Sequence, residues 1–115
     1  MTFLVPNPFS MRVHRQIRNL TEPEQAQFED YLDKKLSILQ PMIDSHYPDE
    51  DTVHVFARIQ KHHKHTAFAY ECIVEMPRKR LVTSETKHTI TEVLDFATER
   101  IEQGMVKHFK KWVKA

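Results

Sequence analysis

From residue 21 onward the apolar residues of this chain change their spacing twice, which restricts it to a small set of folds. Between residues 21 and 39, and again between 90 and 112, they return every third or fourth position, as on an amphipathic helix. Between residues 52 and 76 they return every second position, as on a strand with one buried face. A helical stripe cannot serve as a strand face, so helices and strands must alternate in that order.

The first helix has a clear start. Thr21-Glu22-Pro23-Glu24 supplies an N-cap, a proline tolerated in the first turn and a capping-box glutamate. Phe28, Leu32, Leu36 and Leu39 form its apolar stripe. Pro41 biases Gln40 away from helical geometry, which predicts a helix from about Glu22 to about Leu39 and a loop from Pro41 to Asp51. Ahead of it, Met11 to Arg18 alternates Met11 and Val13 with Arg12, His14 and Arg15, with Ile17 read as out of phase, and is expected to be a half-buried strand.

From Thr52, Val53, Val55, Ala57 and Ile59 share one face, with His54, Phe56, Arg58 and Gln60 on the other. Lys61-His62-His63-Lys64-His65 interrupts the pattern. Phe68, Tyr70, Cys72, Val74 and Met76 then line one face of a second strand. Pro77-Arg78-Lys79-Arg80 is expected to turn, and Leu81 to Glu85 to form a third, less regular strand of open facing. The last helix carries Ile90, Leu94, Ala97, Ile101, Met105, His108 and Trp112 on one stripe, with acids early and lysines late, as the macrodipole favours. Gly104 in its interior predicts close packing or a slight bend.

Strand, helix, three strands, helix implies a crossover followed by an antiparallel meander. The expected architecture is an α+β two-layer sandwich, a four-stranded sheet with both helices on one face, like the double-stranded-RNA-binding fold. Residues 1–10 are expected to form a flexible arm and residues 11–115 a single domain. Pro6 and Pro8 and the lack of a basic flank argue against a signal peptide or a membrane span. One cysteine, Cys72, precludes an internal disulfide and suggests a reducing, cytoplasmic setting.

The charges are segregated along the chain. Residues 19–51 hold nine acids and two lysines, whereas residues 1–18 hold three arginines and no acid. The last nine residues carry four lysines and no acid. Such asymmetry marks a surface suited to a polyanion. Basic groups recur at turns and at a helix end: Arg12, Arg15 and Arg18; Lys61 and Lys64; Arg78, Lys79 and Arg80; Lys87 with His88; Lys107, His108, Lys110, Lys111 and Lys114. Lysine and arginine neutralise phosphates with little sequence preference, so these clusters predict RNA contact.

Nothing points to an enzyme. His62, His63 and His65 lie too close together for one tetrahedral metal site and have no cysteine or carboxylate at ligand spacing, so no metal or cofactor is expected. Cys72 faces inward by parity, as a small buried hydrophobe rather than a nucleophile. One glycine leaves no phosphate-cradling loop, and no small-molecule substrate is expected.

Two local patterns carry a family resemblance. Lys35-Leu36-Ser37-Ile38-Leu39 and the run Leu94-Asp95, Ile101, Met105, Lys107-His108, Lys111-Trp112 resemble those of the ribosome hibernation promoting factor and ribosome-associated inhibitor A (sigma-54 modulation protein) family, whose element order also matches. The resemblance implies binding to the rRNA of the small ribosomal subunit where mRNA and tRNA otherwise sit, inhibiting translation and stabilising idle ribosomes under stress. It ranks Lys107, His108, Lys110 and Lys111 first as rRNA contacts, then Arg78, Lys79, Arg80 and Lys87. The chain differs from the family in lacking the glycine near the end of strand one, in a first helix about one turn longer, and in beginning its last helix with His88-Thr89-Ile90-Thr91. Its ending at Ala115 resembles the short form, which implies ribosome dimerisation together with a second hibernation factor. The rival reading is a protein-interaction module whose acidic helix-one face, with residues 44–51, engages a basic partner such as a transcription regulator.

Overall fold

The computed structural model describes residues 11–47, 52–62, 64 and 66–113, with side chains to residue 110. Along the chain run β1 (Arg12–Arg18), α1 (Glu22–His46), β2 (His54–Lys61), β3 (Phe68–Met76), β4 (Lys79–Lys87) and α2 (Ile90–Val113). The strands form one sheet in the order β1-β2-β3-β4. β1 and β2 are parallel, joined through α1, with Arg12 opposite His54. β2, β3 and β4 form the antiparallel meander, pairing Lys61 with Phe68 and Phe68 with Lys87.

Local chemistry sets the helix starts. Glu24 N–H donates to Thr21 Oγ1 at 3.4 Å while Thr21 N–H donates to Glu24 Oε1 at 2.9 Å, the reciprocal pair of a capping box. At the start of α2 the Thr89 hydroxyl accepts from Glu92 N–H at 3.1 Å and donates to Glu92 Oε1 at 3.1 Å, a side-chain cap without the backbone half of the box. Both helices then lay their stripes on the same face of the sheet. Phe28, Leu32, Leu36, Leu94, Ile101 and Met105 are buried against Val55, Ala57, Ile59, Tyr70, Cys72 and Val74. The α+β two-layer arrangement expected from the periodicity is the one observed.

Three details differ from the sequence expectation. Helix α1 does not end near Leu39 but continues through Pro41 to His46. A proline inside a helix costs about 3 kcal/mol, but the extension by about two turns buries Ile43 completely and the C-cap Tyr47 almost so, and burying side chains of that size recovers a comparable amount. In β1, Ile17 is in phase: it shares with Val13 a half-buried position packed against the core. The residue that breaks the pattern is Arg15, whose guanidinium reaches Asp33 on α1 at 2.7 Å. The β3–β4 turn is only Pro77-Arg78, because Lys79 already pairs with Met76. The facing of β4 is now fixed, with Thr83 buried and Val82 exposed.

A polar clasp ties the two helices. Asp95 Oδ1 accepts from the Tyr31 hydroxyl at 2.7 Å and from Lys35 Nζ at 2.6 Å. Partial burial works to raise the Asp95 pKa, but the hydrogen bonds from Lys35 and Tyr31 outweigh it and hold the carboxyl below its ordinary value. The same hydrogen bonds to Asp95 raise the pKa values of Lys35 and Tyr31.

Leu94→Ala or Ile101→Ala should lower unfolding stability by about 2–5 kcal/mol in urea titrations; a cost below about 0.5 kcal/mol at both would mean that the stripe is not core. A group with a lowered folded pKa stabilises above its unfolded value and stops doing so as pH falls through the folded one. Asp95 therefore contributes at neutral pH and loses its contribution in acid, below about pH 4. Because the carboxylate is 46% exposed, Asp95→Asn should cost no more than about 1 kcal/mol at pH 7. That gap should narrow as pH falls below about 4, and an equal gap at pH 7 and in acid would show that the clasp carries no charge-dependent stability.

Candidate nucleic-acid interface

Strand direction decides where the basic groups gather. β1 ends beside Gln60, and β4 ends at Lys87, opposite Phe68. Each strand is followed by a helix, so α1 and α2 begin at one end of the sheet and finish together at the other, beside the β3–β4 turn. There the His46 ring stacks on Phe109 with centroids 3.8 Å apart, and Tyr47 lies 5.9 Å from the same ring. Burial raises the Tyr47 phenol pKa, and the nearby Arg78 charge works against that rise.

At this end Lys79 from β4 and Lys107, His108 and Lys110 from α2 line one cleft of about 340 Å³, with Leu81 and Gly104 at its floor. Gly104 lets the helix and strand approach: a Cβ there would stand 3.0 Å from Leu81 Cδ2. Lys79, Lys107 and Lys110 are exposed. Among the described residues no carboxylate lies within 4.0 Å of any of the three, whereas most other cations of the fold are paired. Lysines at a helix carboxyl end offset its dipole by about 0.3–1 kcal/mol each, so part of this charge serves the helix. Lys79 and Arg78 belong to a hairpin instead, and their convergence on the helix end concentrates positive charge beyond that need.

Arg78 sits there in a left-handed conformation, φ 65°. A side chain in that region costs about 1–2 kcal/mol that glycine would not.

The remaining sequence candidates lie elsewhere. Arg80 points from β4 to the open sheet face, 3.6 Å from Glu75. Lys61, Lys64 and Lys87 belong to the opposite end. Lys61 is held by Glu24 at 3.0 Å, and Lys87 lies 4.2 Å from the centre of the Phe96 ring. Lys111 continues the α2 backbone beyond the described side chains, and Lys114, His63, His65 and the arm 1–10 fall outside the described residues. Trp112, expected on the apolar stripe, has no described side chain. Cys72 is buried as expected, and burial pushes its thiol pKa up to about 11. On the acidic helix, Asp33 and Asp30 are occupied by Arg15 at 2.7 Å and Lys34 at 3.5 Å, which diminishes that face as a docking surface. Among the described residues no helix is long and apolar enough to cross a membrane, and no group of three or more histidine, cysteine or carboxylate side chains could hold a metal ion.

Sequence reasoning passed over the open face of the sheet. There His14, His54 and Phe56 form a cluster of nearly parallel rings, with His14 and Phe56 stacked at 4.6 Å and 14°. Alternation placed these rings on one face of their own strands. Their juxtaposition needs the β1–β2 register, which no local signal encodes.

Solved structures share this fold, among them the following two. The chain is similar to the Thermus thermophilus Protein Y N-terminal domain, with a TM-score of 0.65 and 21% identity over 85% of this chain and 99% of that one. It is also similar to a ribosomal subunit interface protein from Coxiella burnetii, with a TM-score of 0.68 and 12% identity over 87% of this chain and 99% of that one. No protein-family profile matches the chain, and no curated protein matches it in sequence. The likeness is one of fold: the strand and helix order expected from the family resemblance is the architecture these proteins have.

Arg78→Gly tests whether the strained position is kept for its charge. Relief of the left-handed arginine should raise unfolding stability by up to about 1 kcal/mol, while RNA affinity falls through loss of a cation. Unfolding titrations paired with filter binding would read both, and unchanged affinity would remove Arg78 from the interface.

Proposed function

We propose that this chain is a ribosome-binding protein of the hibernation type, a binding protein rather than an enzyme. Its basic end would dock on the rRNA of the small ribosomal subunit, in the region otherwise used by mRNA and tRNA. Occupying that region would inhibit translation and stabilise inactive ribosomes under stress, in the cytoplasm. Ribosome dimerisation with a second hibernation factor is the corresponding proposal for its place in larger assemblies.

The observation that carries the reading is the convergence of Lys79, Lys107 and Lys110 on one cleft without a carboxylate partner among the described residues. Arg78, His108 and Lys111 extend the same proposed site, with Lys114 continuing it by sequence. The fold shared with a ribosomal subunit interface protein supports the same direction. A cationic end built from a hairpin and a helix terminus suits phosphate contact, which needs charge and reach more than base-specific geometry. Lys61, Lys64, Lys87 and Arg80 are proposed as peripheral contacts, because they lie away from the cleft and most already have a partner.

Replacing Lys79, Lys107, Lys110 and Lys111 with glutamine should leave the fold intact, since each surface change costs within about 0.5 kcal/mol. Co-sedimentation with small subunits should weaken tenfold or more, and the slope of log affinity against log salt should shrink by about one per lost contact. If that variant binds like the parent, while neutral replacements at Glu22, Glu29, Asp30 and Asp33 abolish binding, the RNA reading fails. Sucrose-gradient sedimentation of a stationary-phase lysate checks the assembly directly, by co-migration with small subunits, whole ribosomes or ribosome dimers.

A further inference from the structure

The helices cover one face of the sheet, and the face they leave open is not a neutral one. On its β1–β2 half stand Arg12, Arg18 and Arg58 with His14 and His54, and neither strand contributes a carboxylate. Among these arginines lies the ring cluster. His14 Nε2 and His54 Nδ1 are 3.1 Å apart and share one proton in a hydrogen bond. Their rings are tilted by only 10° with centroids 5.4 Å apart, so the two imidazoles lie edge to edge, almost in one plane. Phe56 stacks on His14 at 4.6 Å. A cleft of about 260 Å³ opens beside the stack, lined by His14, Arg15, Gln16, Phe56 and Arg58. Arg15 is committed to Asp33 at 2.7 Å, but Arg58 is 58% exposed and only loosely held by Glu71, at 3.6 Å.

We infer that this cleft is a second RNA contact, a slot for one unpaired nucleobase and its phosphate. Each part matches a part of such a ligand. The stacked rings of His14 and Phe56 bring aromatic surface to the cleft, and base stacking on such rings is the source of much single-strand affinity. The Gln16 amide can both donate to and accept from a base edge. The Arg58 guanidinium fits the phosphate oxygens. Arg12, Arg18 and Arg58 make the β1–β2 half of the face basic, which favours a polyanion over a basic peptide. β3 sets Glu75 opposite His54 and Glu71 opposite Arg58, so a phosphate must compete with Glu71 for the guanidinium. This slot shares with the reading above only the premise that RNA is the ligand class, and it sits on a different face from the lysine cleft.

The test uses the full-length protein and two fluorescein-labelled probes, hexa-adenylate RNA and an abasic ribose-phosphate hexamer of equal charge, followed by anisotropy. The parent should bind the adenylate tenfold or more tightly than the abasic probe, because stacking on an aromatic side chain is worth about that much per base. Phe56→Leu and His14→Ala should each bring the adenylate down towards the abasic probe. His14 is exposed, so its replacement tests the slot even if Phe56→Leu disturbs the sheet. Arg58→Gln should weaken both probes alike. Equal binding of the two probes by the parent, or an undiminished preference in His14→Ala, would overturn the inference. Tighter binding of a hexa-glutamate peptide than of hexa-adenylate would overturn it in favour of a protein ligand. No ribosome enters the assay, so loss of small-subunit sedimentation and loss of base preference are separate results.

Discussion

The direction of chain entry into the helices organises this molecule. A sheet with a single apolar face needs cover from one side only, and the two strands that lead into helices, β1 and β4, both run towards the same end. The helices must therefore travel side by side in one sense, with their first turns together and their last turns together. Packing then follows from the stripes, with Phe28, Leu32 and Leu36 of one helix and Leu94, Ile101 and Met105 of the other sharing the core over the strands. Parallel helices align their dipoles, placing two sets of unsatisfied carbonyls at one pole. The cations of the β3–β4 turn and of late α2 meet that pole, so the feature that orders the fold also concentrates the charge.

Legibility in the sequence followed the range of the interactions. Alternation along β2 and β3 gave the correct inward set, from Val55 to Val74, because a period of two needs no knowledge of partners. The extension of α1 past Pro41 was not legible, because what outweighs the proline is tertiary: Ile43 and Tyr47 find cover only once α2 and the sheet are in place. Ile17 was misread because the intervening Arg15 looks solvent-bound in sequence, whereas in space it bridges to Asp33. The basic clusters were visible as composition, but their worth was not. Lys61 and Lys79 look alike in a string; only folding gives the first to Glu24 and leaves the second in the cleft with Lys107.

The two candidate surfaces differ in what they can distinguish. Ammonium groups on a hairpin and a helix end respond to charge density and tolerate many backbone geometries. Planar rings beside an amide respond to shape and to the presence of a base. Since the sheet separates them, one surface could be altered without disturbing the other, and their contributions would combine as independent terms. A small domain with one glycine thus carries two chemically different candidate surfaces.

Cys72 has a use that its chemistry does not advertise. The chain's lone thiol lies 4% exposed in the middle of β3, with burial pushing its pKa up to about 11. A thiol reagent reacts with thiolate, so modification must wait until β3 is uncovered. The natural protein accordingly carries an internal clock: the rate at which Cys72 is labelled reports how often the sheet opens, without any engineered probe. Bound to a partner that recognises only the folded form, that clock should slow in proportion to occupancy.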